Sequence, residues 1–163
     1  MYRGSLSIVV YEKFSDEAMG AILQRMEDGG KLNLLITDGI MLSPDFLERL
    51  RQGNVEIQRL LTSHQFIRIM GEQDMGFCVA VLNSKVVSDW NSSSVNFMLD
   101  AMVVWPMSRG LNAMVQFIGL PPLKIRTNHV MKRAYYRMDT GGDKEWGETR
   151  LPQGRLWKFL CRE

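Results

Sequence analysis

The chain has 163 residues, of which 45% are hydrophobic and 23% are charged, and its formal net charge is +2. This length and composition are typical of one globular domain with a sizeable hydrophobic core, and they exclude a low-complexity chain. The small net charge gives no support to a polyanion-binding protein, although residues 124–163 hold ten Lys and Arg against five Asp and Glu.

Cysteine usage and hydropathy exclude further classes. Cys78 and Cys161 lie far apart in the sequence, outside any CxxC or Cys/His cluster, so no zinc or other metal site is expected. The N-terminal residues lack the apolar core of a signal peptide, and no run of about 18 apolar residues predicts a membrane span. The cytoplasm is the expected compartment.

The first elements predict a strand, a helix and a short apolar segment. Leu6–Tyr11 is rich in β-branched residues and predicts a strand. Ser15 is a suitable N-cap for a helix with apolar residues at helical spacing over Ala18–Met26. Leu32–Thr37 fits either a strand or a turn of buried helix, and Asp38-Gly39 predicts a bend after it.

The next segment predicts helix. Ser43-Pro44-Asp45 is a strong helix start because proline is well tolerated in the first turn. The apolar spacing over Phe46–Leu61 then favours one or two helices, with Gly53-Asn54 as the interruption. Phe66–Met70 fits a strand or a helix equally well.

The second half changes character and predicts strands. Gly76–Leu82 and Lys85–Asp89, joined by a turn at Asn83-Ser84, predict a hairpin. Asn91–Ser94 predicts a polar turn, and Val95–Trp105 is the longest strand candidate, closed by Pro106.

The rest of the chain alternates between helix and strand. The predicted elements are a loop at Met107–Leu111, a helix at Ala113–Ile118, a strand at Leu123–Arg126, a helix at His129–Met138, and a final hairpin of Glu145–Arg150 with Arg155–Cys161. Taken together, this order predicts a single α+β domain over residues 1–163, with a mixed, mostly antiparallel sheet flanked by helices.

Two local motifs occur in this second half. The first is a predicted strand, loop and helix, LDAMVVWPMSRGLNAMVQFIG, with Gly110 in the loop. The second is LKIRTNHVMKRAYYRMDT, in which Asn128 precedes Tyr135 by seven residues. In this order and spacing the two motifs resemble the last part of the GCN5-related N-acetyltransferase superfamily.

The resemblance implies a fold and a cofactor site. Residues 1–75 would form the acceptor side, and residues 76–163 would form the sheet and the acetyl-coenzyme A side. In the family, backbone N–H groups of a glycine-containing loop at a helix start bind the pyrophosphate. The residues that would contact the cofactor are Val103, Val104, Trp105, Arg109, Gly110, Leu111, Asn112, Ala113 and Asn128. The sequence departs from the family pattern at Met107, Asn112, Met131 and Asp139-Thr140.

The resemblance also implies a reaction. Tyr135 would protonate the departing thiolate, and Asp100 would act as the base for the acceptor amine, with Glu12 as the other candidate. The function expected on this basis is acetyl transfer from acetyl-coenzyme A to an amine of a small molecule or a protein.

Two alternatives remain open. The departures from the pattern also fit an inactive domain that serves in binding or assembly, as a homodimer or with a protein partner. In that form the chain resembles acetyltransferase-like proteins of tailed bacteriophages, which act in the host cytoplasm or the virion. The second alternative is nucleic-acid binding, for which the sequence contains no recognisable motif. The groups that would carry it are Lys124, Arg126, Lys132, Arg133, Arg137 and Lys144, with Tyr135, Tyr136 and Trp146 for stacking.

Overall fold

The computed structural model describes residues 2–27, 30–72, 76–109, 112–128, 130–131 and 155–162. Within these ranges the chain forms alternating strands and helices. In chain order they are β1 (Tyr2–Tyr11), α1 (Asp16–Glu27), β2 (Leu32–Thr37), α2 (Pro44–Arg51), β3 (Val55–Leu60), α3 (Ser63–Glu72), β4 (Phe77–Asn83), α4 (Ser84–Ser88), α5 (Ser92–Arg109), β5 (Asn112–Ile118), α6 (Leu123–Arg126) and β6 (Arg155–Arg162).

The strands form one sheet in the order β3-β2-β4-β5-β1-β6. Every pairing among β1 to β5 is parallel, and β6 runs antiparallel to β1. The chain is therefore a single α/β domain. The expectation of one domain with a sheet flanked by helices is confirmed, whereas the α+β class and the mostly antiparallel sheet are wrong. The sheet takes β1, β2 and β3 from residues 1–75 and the other strands from residues 76–163.

The helices cover both faces of the sheet because the chain moves along it in both directions. From β1 to β2 and on to β3 the chain moves towards one edge, and from β3 to β4 and on to β5 it moves back. Since crossovers between parallel strands are right-handed, the two directions place their helices on opposite faces. Accordingly, α1 and α2 pack in one apolar cluster, and α3, α5 and α6 pack in another.

Strands enclosed on both faces are buried throughout and mostly apolar. All six residues of β2 are buried, as are the five residues of β4 from Cys78 to Leu82. A strand buried on both faces has no solvent-exposed side, so its sequence is a nearly continuous apolar run, which Asn33 and Thr37 interrupt in β2. This pattern settles Leu32–Thr37 as a strand.

Helix α5 replaces the longest predicted strand. Its buried residues Val95, Met98, Leu99 and Met102 follow the three-and-four spacing of one helix face. The side chain of Asn91 caps the helix start by accepting from the backbone N–H of Ser93 at 2.9 Å. The strand predicted at Val95–Trp105 and the turn at Asn91–Ser94 are therefore wrong.

Strand β5 replaces a predicted helix. The residues from Ala113 to Phe117 are all buried, because the strand lies inside the sheet between β4 and β1. A short apolar run of this length fits a buried strand and a buried helix equally well. The prediction of a helix at Ala113–Ile118 is wrong for that reason.

Three shorter predictions are also wrong. Lys85–Asp89 is not a strand, because the Asn83 side chain accepts from Lys85 N at 3.0 Å and starts α4; no hairpin forms there. Val55–Leu60 is strand β3 and not a continuation of the preceding helix. Leu123–Arg126 is the helix α6, whose first turn closes with bonds from Ile125 N and Arg126 N to Pro122 O.

The loop predicted at Met107–Leu111 is wrong over residues 107–109, which belong to α5; the other predictions agree with the structure where it describes them. The strands at Leu6–Tyr11, Gly76–Leu82 and Arg155–Cys161 and the helices after Ser15 and Ser43 are confirmed, and Phe66–Met70 is helical. The helix at His129–Met138 lies largely outside the described residues, and the strand at Glu145–Arg150 lies wholly outside them. None of the helices in the described ranges combines the length and apolarity needed to cross a bilayer.

Candidate functional site

A cleft of about 590 Å³ opens at the carboxyl end of the parallel sheet. Strands β1, β2, β4 and β5 all end at this edge because they run in the same direction. The lining residues are 12–14 after β1, 39–41 after β2, 83–85 and 88 at the end of β4, and 118–120 and 122 at the end of β5.

The cleft exists because the chain leaves neighbouring strands towards opposite faces. From β1 and β2 it passes to the face of α1 and α2, whereas from β4 and β5 it passes to the face of α5 and α6. In the sheet, β2 lies next to β4, and β1 lies next to β5. At both boundaries the loops diverge, and such points are where open α/β sheets bind their ligands.

Two glycines shape the cleft. Gly39 has a φ of 83° and Gly119 a φ of 90°, values that residues with a Cβ rarely adopt. Gly119 N donates to Tyr11 O at 2.8 Å, which ties the end of β5 to the end of β1. A Cβ on Gly39 would lie 2.3 Å from Asn83 Nδ2, so the glycine lets the Asn83 amide rest on the backbone after β2.

Asn83 is the best-positioned polar group of the cleft. Its backbone N–H donates to Thr37 Oγ1 at 2.8 Å, which joins the ends of β4 and β2. Its side-chain Oδ1 accepts from Lys85 N at 3.0 Å. Because Oδ1 is held in this way, the Nδ2 group is held over Gly39, at the surface of the cleft.

The wall formed by α4 is fixed from two sides. Ser84 Oγ donates to Gly119 O at 2.8 Å, and Ser88 Oγ donates to Lys85 O at 2.6 Å. Lys124 of α6 donates to the carbonyl oxygens of Ser88 at 2.6 Å and Trp90 at 2.7 Å. A cation at the carbonyl end of a helix is favourable, so Lys124 stabilises this wall in place.

Two buried polar side chains belong to the strands β1 and β5 that end at the opposite side of the cleft. Gln116 Nε2 donates to Ala18 O at 3.1 Å and so attaches α1 to β5. Tyr11 is almost fully buried at the end of β1. Burial raises the pKa of its phenol, and the negative charge of Glu17 raises it further. The phenol is therefore neutral at physiological pH.

The rim of the cleft carries the charges. Glu12, Lys13 and Lys85 are exposed and line the opening, so two ammonium groups face one carboxylate among the described lining residues. The interior is apolar where Phe14, Ile40 and other apolar side chains contribute. No group of three or more His, Cys, Asp and Glu with metal-binding geometry occurs in the described ranges. The described cleft thus offers an apolar body, amide and hydroxyl groups, and a rim with more positive than negative charge.

Most of the residues predicted from the acetyltransferase resemblance lie elsewhere. Asp100 is exposed on α5, and Val103, Val104, Trp105 and Arg109 are on the same helix. Asn112 and Ala113 begin β5, so this segment lies at the amino end of the sheet, opposite the cleft. The order there is helix then strand, the reverse of the strand, loop and helix that the resemblance implied. Gly110, Leu111 and Tyr135 lie outside the described residues.

Two further candidates, Asn128 and Glu12, lie away from that segment at the amino end of the sheet. Asn128 is buried, and its Nδ2 donates to Asn96 Oδ1 at 2.9 Å while its Oδ1 accepts from Val130 N at 2.8 Å. These bonds give it a structural role between α5 and the chain after α6. Glu12, the alternative base, lies on the rim of the cleft. Several residues were predicted from the sequence to act in catalysis or binding. Of those that the structure describes, Glu12 lines the cleft and the others do not.

A serine and a histidine meet away from the cleft. Ser94 Oγ lies 3.0 Å from His64 Nε2, in a contact between α5 and α3. The contact is exposed, and Asn91 Oδ1 accepts from Ser93 N and Ser94 N at the start of α5. These N–H groups are therefore engaged in capping and do not form an oxyanion hole. The pair links two helices.

Sequence reasoning missed the residues of α4 that line the cleft. Asn83, Ser84 and Lys85 were interpreted as a hairpin turn and the start of a strand. An N-capping signal was available, because Asn directly precedes a short segment with an apolar pair, Val86-Val87. The bend at Asp38-Gly39 was predicted, but its place beside the end of β4 depends on strand order.

Comparisons with known proteins give no family for this chain. No protein-family model matches the sequence, and no curated protein matches it significantly.

Proposed function

We propose that this protein binds a small molecule in the cleft at the carboxyl end of the sheet. The single observation that carries the proposal is a cavity of about 590 Å³ placed where the loops of β2 and β4, and of β1 and β5, diverge. A volume of this size is typical of small-molecule sites, which occur preferentially at such points in α/β sheets.

The lining favours a ligand with an apolar body and an anionic group. Apolar side chains at the ends of β1, β2 and β5 would cover the body of the ligand, while the end of β4 contributes polar groups. The ammonium groups of Lys13 and Lys85 on the rim would attract the anion, and the Asn83 amide would donate to a carbonyl or a phosphoryl oxygen. Glu12 would favour a second, cationic or hydroxyl-bearing part of the ligand.

A pair of fluorescent probes tests this ligand class. Anilinonaphthalene sulfonate has an apolar body with an anionic group, and N-phenylnaphthylamine has a similar body without the charge. At low salt, the sulfonate probe should bind with a stoichiometry of one to one. The double variant Lys13→Glu/Lys85→Glu should weaken it by about 1.4 kcal/mol, which is tenfold in affinity, and should leave the neutral probe nearly unchanged.

The double variant Arg49→Glu/Arg51→Glu is the matched control, because it reverses two charges as the rim variant does. Arg49 and Arg51 are exposed cations on α2, away from the cleft. If it weakens the sulfonate probe as much as the rim variant does, binding is governed by net charge and the cleft is not the site. Absence of saturable binding to the wild-type protein would also remove the proposal.

Acetyl transfer is a second proposal, supported by the position of Glu12 on the cleft rim. Acetyl-coenzyme A combines an anionic nucleotide with a long, weakly polar arm, so it belongs to the ligand class above. Titration calorimetry with acetyl-coenzyme A and with coenzyme A tests binding directly. If Tyr135 is the general acid, Tyr135→Phe should reduce turnover of an amine acceptor and keep the affinity for acetyl-coenzyme A. Binding without turnover would favour the inactive binding or assembly domain.

A further inference from the structure

The polar side chains of the cleft form two sets at the ends of two strands. Glu12 and Lys13 directly follow β1, whereas Asn83 and Lys85 lie where β4 passes into α4. Strand β5 lies between β1 and β4, and its residue Ile118 is level both with the last residue of β1 and with Asn83. Two strand spacings, about 10 Å, therefore separate the two sets. A ligand that reaches both sets must lie across the end of β5.

The centre of the cleft, between the two sets, carries no competing polar side chain at the end of β5. Gly119 lines the cleft there and has no side chain. Its N–H donates to Tyr11 O at 2.8 Å, and its carbonyl oxygen accepts from Ser84 Oγ at 2.8 Å. Because these backbone groups are already bonded, recognition of a ligand depends on the two sets at its ends.

An aromatic ring accompanies the set after β1. Phe14 is half-buried, lines the cleft and packs against Phe46 of α2, with ring centroids 6.0 Å apart and ring planes at 73°. Since Phe46 is buried, the core of the protein holds the Phe14 ring in place. Ile118 and Leu120 line the cleft from the neighbouring strand end. A planar heterocycle can stack on such a ring and contact the aliphatic side chains beside it.

The charged groups of both sets are open to a ligand. Glu12, Lys13 and Lys85 make no ion pair with any side chain in the part of the chain that the structure describes. A carboxylate such as Glu12 has two oxygens that can accept from two neighbouring hydroxyl groups. The Asn83 amide and the Lys85 ammonium group are donors, and together they suit the oxygens of a phosphate.

We infer that the ligand of the cleft is a ribonucleoside 5′-phosphate. Its base lies against Phe14, its ribose hydroxyl groups donate to Glu12, and its phosphate accepts from Asn83 and Lys85. The separation of about 10 Å between the sets is similar to the length of a nucleoside monophosphate. A long-chain amphiphile has a single charged head and would use one set alone. The inference rests on the proposed function and specifies the chemical class of the ligand.

Titration calorimetry with AMP, adenosine and ribose 5-phosphate tests the two ends of the ligand separately. At low salt, AMP should bind one to one. Lys85→Gln should weaken AMP and ribose 5-phosphate about tenfold and leave adenosine unchanged. Phe14→Leu should weaken AMP and adenosine about tenfold and leave ribose 5-phosphate unchanged. Phe77→Leu is the matched control, because Phe77 is also half-buried but begins β4 at the other end of the sheet.

Two analogues test the contact between Glu12 and the ribose. The 2′,3′-dideoxy analogue of AMP should bind the wild-type protein about tenfold more weakly than AMP, because it lacks the hydroxyl donors. This difference should disappear in Glu12→Ala. Adenosine 3′,5′-bisphosphate, the nucleotide part of coenzyme A, should also bind more weakly than AMP, because its 3′-phosphate would face the Glu12 carboxylate. This comparison separates a free ribonucleotide from coenzyme A as the source of the nucleotide.

Displacement of anilinonaphthalene sulfonate separates failure of this inference from failure of the proposed function. AMP at about 5 mM should displace the probe from the wild-type protein. If the probe binds and depends on Lys13 and Lys85 but AMP does not displace it, the proposed function stands and the nucleotide inference is overturned. If neither binds, both fall.

Three results in variants and analogues would also overturn the inference. They are equal weakening of all three compounds by Phe14→Leu, equal binding of AMP and its dideoxy analogue by the wild type, and tighter binding of the bisphosphate than of AMP. Circular dichroism and the melting temperature of each variant establish that it is folded, so that a loss of affinity reports on the cleft.

Discussion

The two ends of the parallel sheet are built differently, although the same strands reach both. At the carboxyl end, the loops diverge to opposite faces and leave a cleft with Gly39 and Gly119 in its wall. At the amino end, β2, β3 and β4 are closed against one another by backbone bonds. Phe77 N donates to Lys31 O at 2.9 Å and Leu32 N donates to Asn54 O at 2.9 Å.

This difference explains why the cleft opens at the carboxyl end, whereas the described backbone at the amino end is closed. Backbone groups at the carboxyl end are spread apart by chain direction, so side chains and a ligand can lie between them. At the described amino end, the end of α5 leads back into β5 and presents helix carbonyl groups, which carry partial negative charge. An anionic cofactor is better placed at the carboxyl end than at residues 109–113.

The largest expected effect comes from filling the closed amino end. A Cβ on Gly76 would lie 2.1 Å from the backbone oxygen of Lys31, which cannot rotate away. Gly76→Ala should therefore lower the free energy of unfolding by about 3 kcal/mol, as overpacking does in rigid sites. Urea denaturation measures this change.

Gly20→Ala is the matched control for that substitution. Gly20 lies in α1 with no atom within 4 Å of its Cβ position. Alanine is the better helix former, so this variant should gain about 0.5–1 kcal/mol. If both substitutions changed the free energy of unfolding by the same amount, the close approach of Gly76 to the backbone of Lys31 would be contradicted.

The next effect, at the carboxyl end, should be smaller because the obstructing atom can move. Gly39→Ala places a Cβ 2.3 Å from Asn83 Nδ2, at the end of a side chain, and strains a φ of 83°. We expect a loss of about 1–2 kcal/mol from the positive φ. Because Asn83 must rotate into the cleft, the affinity for anilinonaphthalene sulfonate should also fall. A change in stability without a change in affinity would place the probe elsewhere.

Two asparagine caps then separate stability from binding. Asn83 caps α4 at the cleft, and Asn91 caps α5 away from it. Each Asn→Ala substitution should lower the free energy of unfolding by about 1 kcal/mol, the usual value of an N-cap. Only Asn83→Ala should weaken the sulfonate probe in a fluorescence titration. Equal weakening by Asn91→Ala would show that loss of stability, and not the Asn83 amide, affects the probe.

The sequence predicted the elements whose signals are local and strong. Ser43-Pro44 predicted the start of α2, where Ser43 Oγ accepts from Phe46 N at 3.2 Å. The β-branched run of β1 predicted a strand, because no helix pattern competes with it. Buried apolar runs were ambiguous: Ala113–Ile118 has the same composition as a buried helix, and its place between two strands decides the matter.

The error in α5 had a different origin, and it moved the predicted site. Val95, Met98, Leu99 and Met102 have helical spacing, but the apolar run Val95–Trp105 was interpreted as a strand closed by Pro106, and the acetyltransferase resemblance was then placed on that strand. The cleft itself could not be predicted from local patterns, because Gly39 and Asn83 meet only through the order of β2 and β4 in the sheet. Strand order depends on pairing between strands that are distant in the sequence, and the local hydrophobic periodicity of a single sequence does not show which strands pair.

The smallest expected effect concerns pH and Tyr11, the buried last residue of β1 directly before the cleft residue Glu12. Burial and the Glu17 charge raise the pKa of this phenol above its ordinary value of 10.0 in the folded state. In the unfolded chain the phenol ionises near its ordinary value, so the unfolded state loses its proton first. The stability that the neutral phenol contributes is therefore fully present below pH 10 and is lost as the pH rises through the raised pKa.

Urea denaturation from pH 8 to about pH 11 should show a steeper decline for the wild type than for Tyr11→Phe, which keeps the ring and removes the ionisable group. Because other groups also titrate in this range, the difference between the two proteins is the quantity to compare. Parallel declines would mean that the Tyr11 phenol is as solvated in the folded protein as in the unfolded chain, which would contradict its burial at the end of β1.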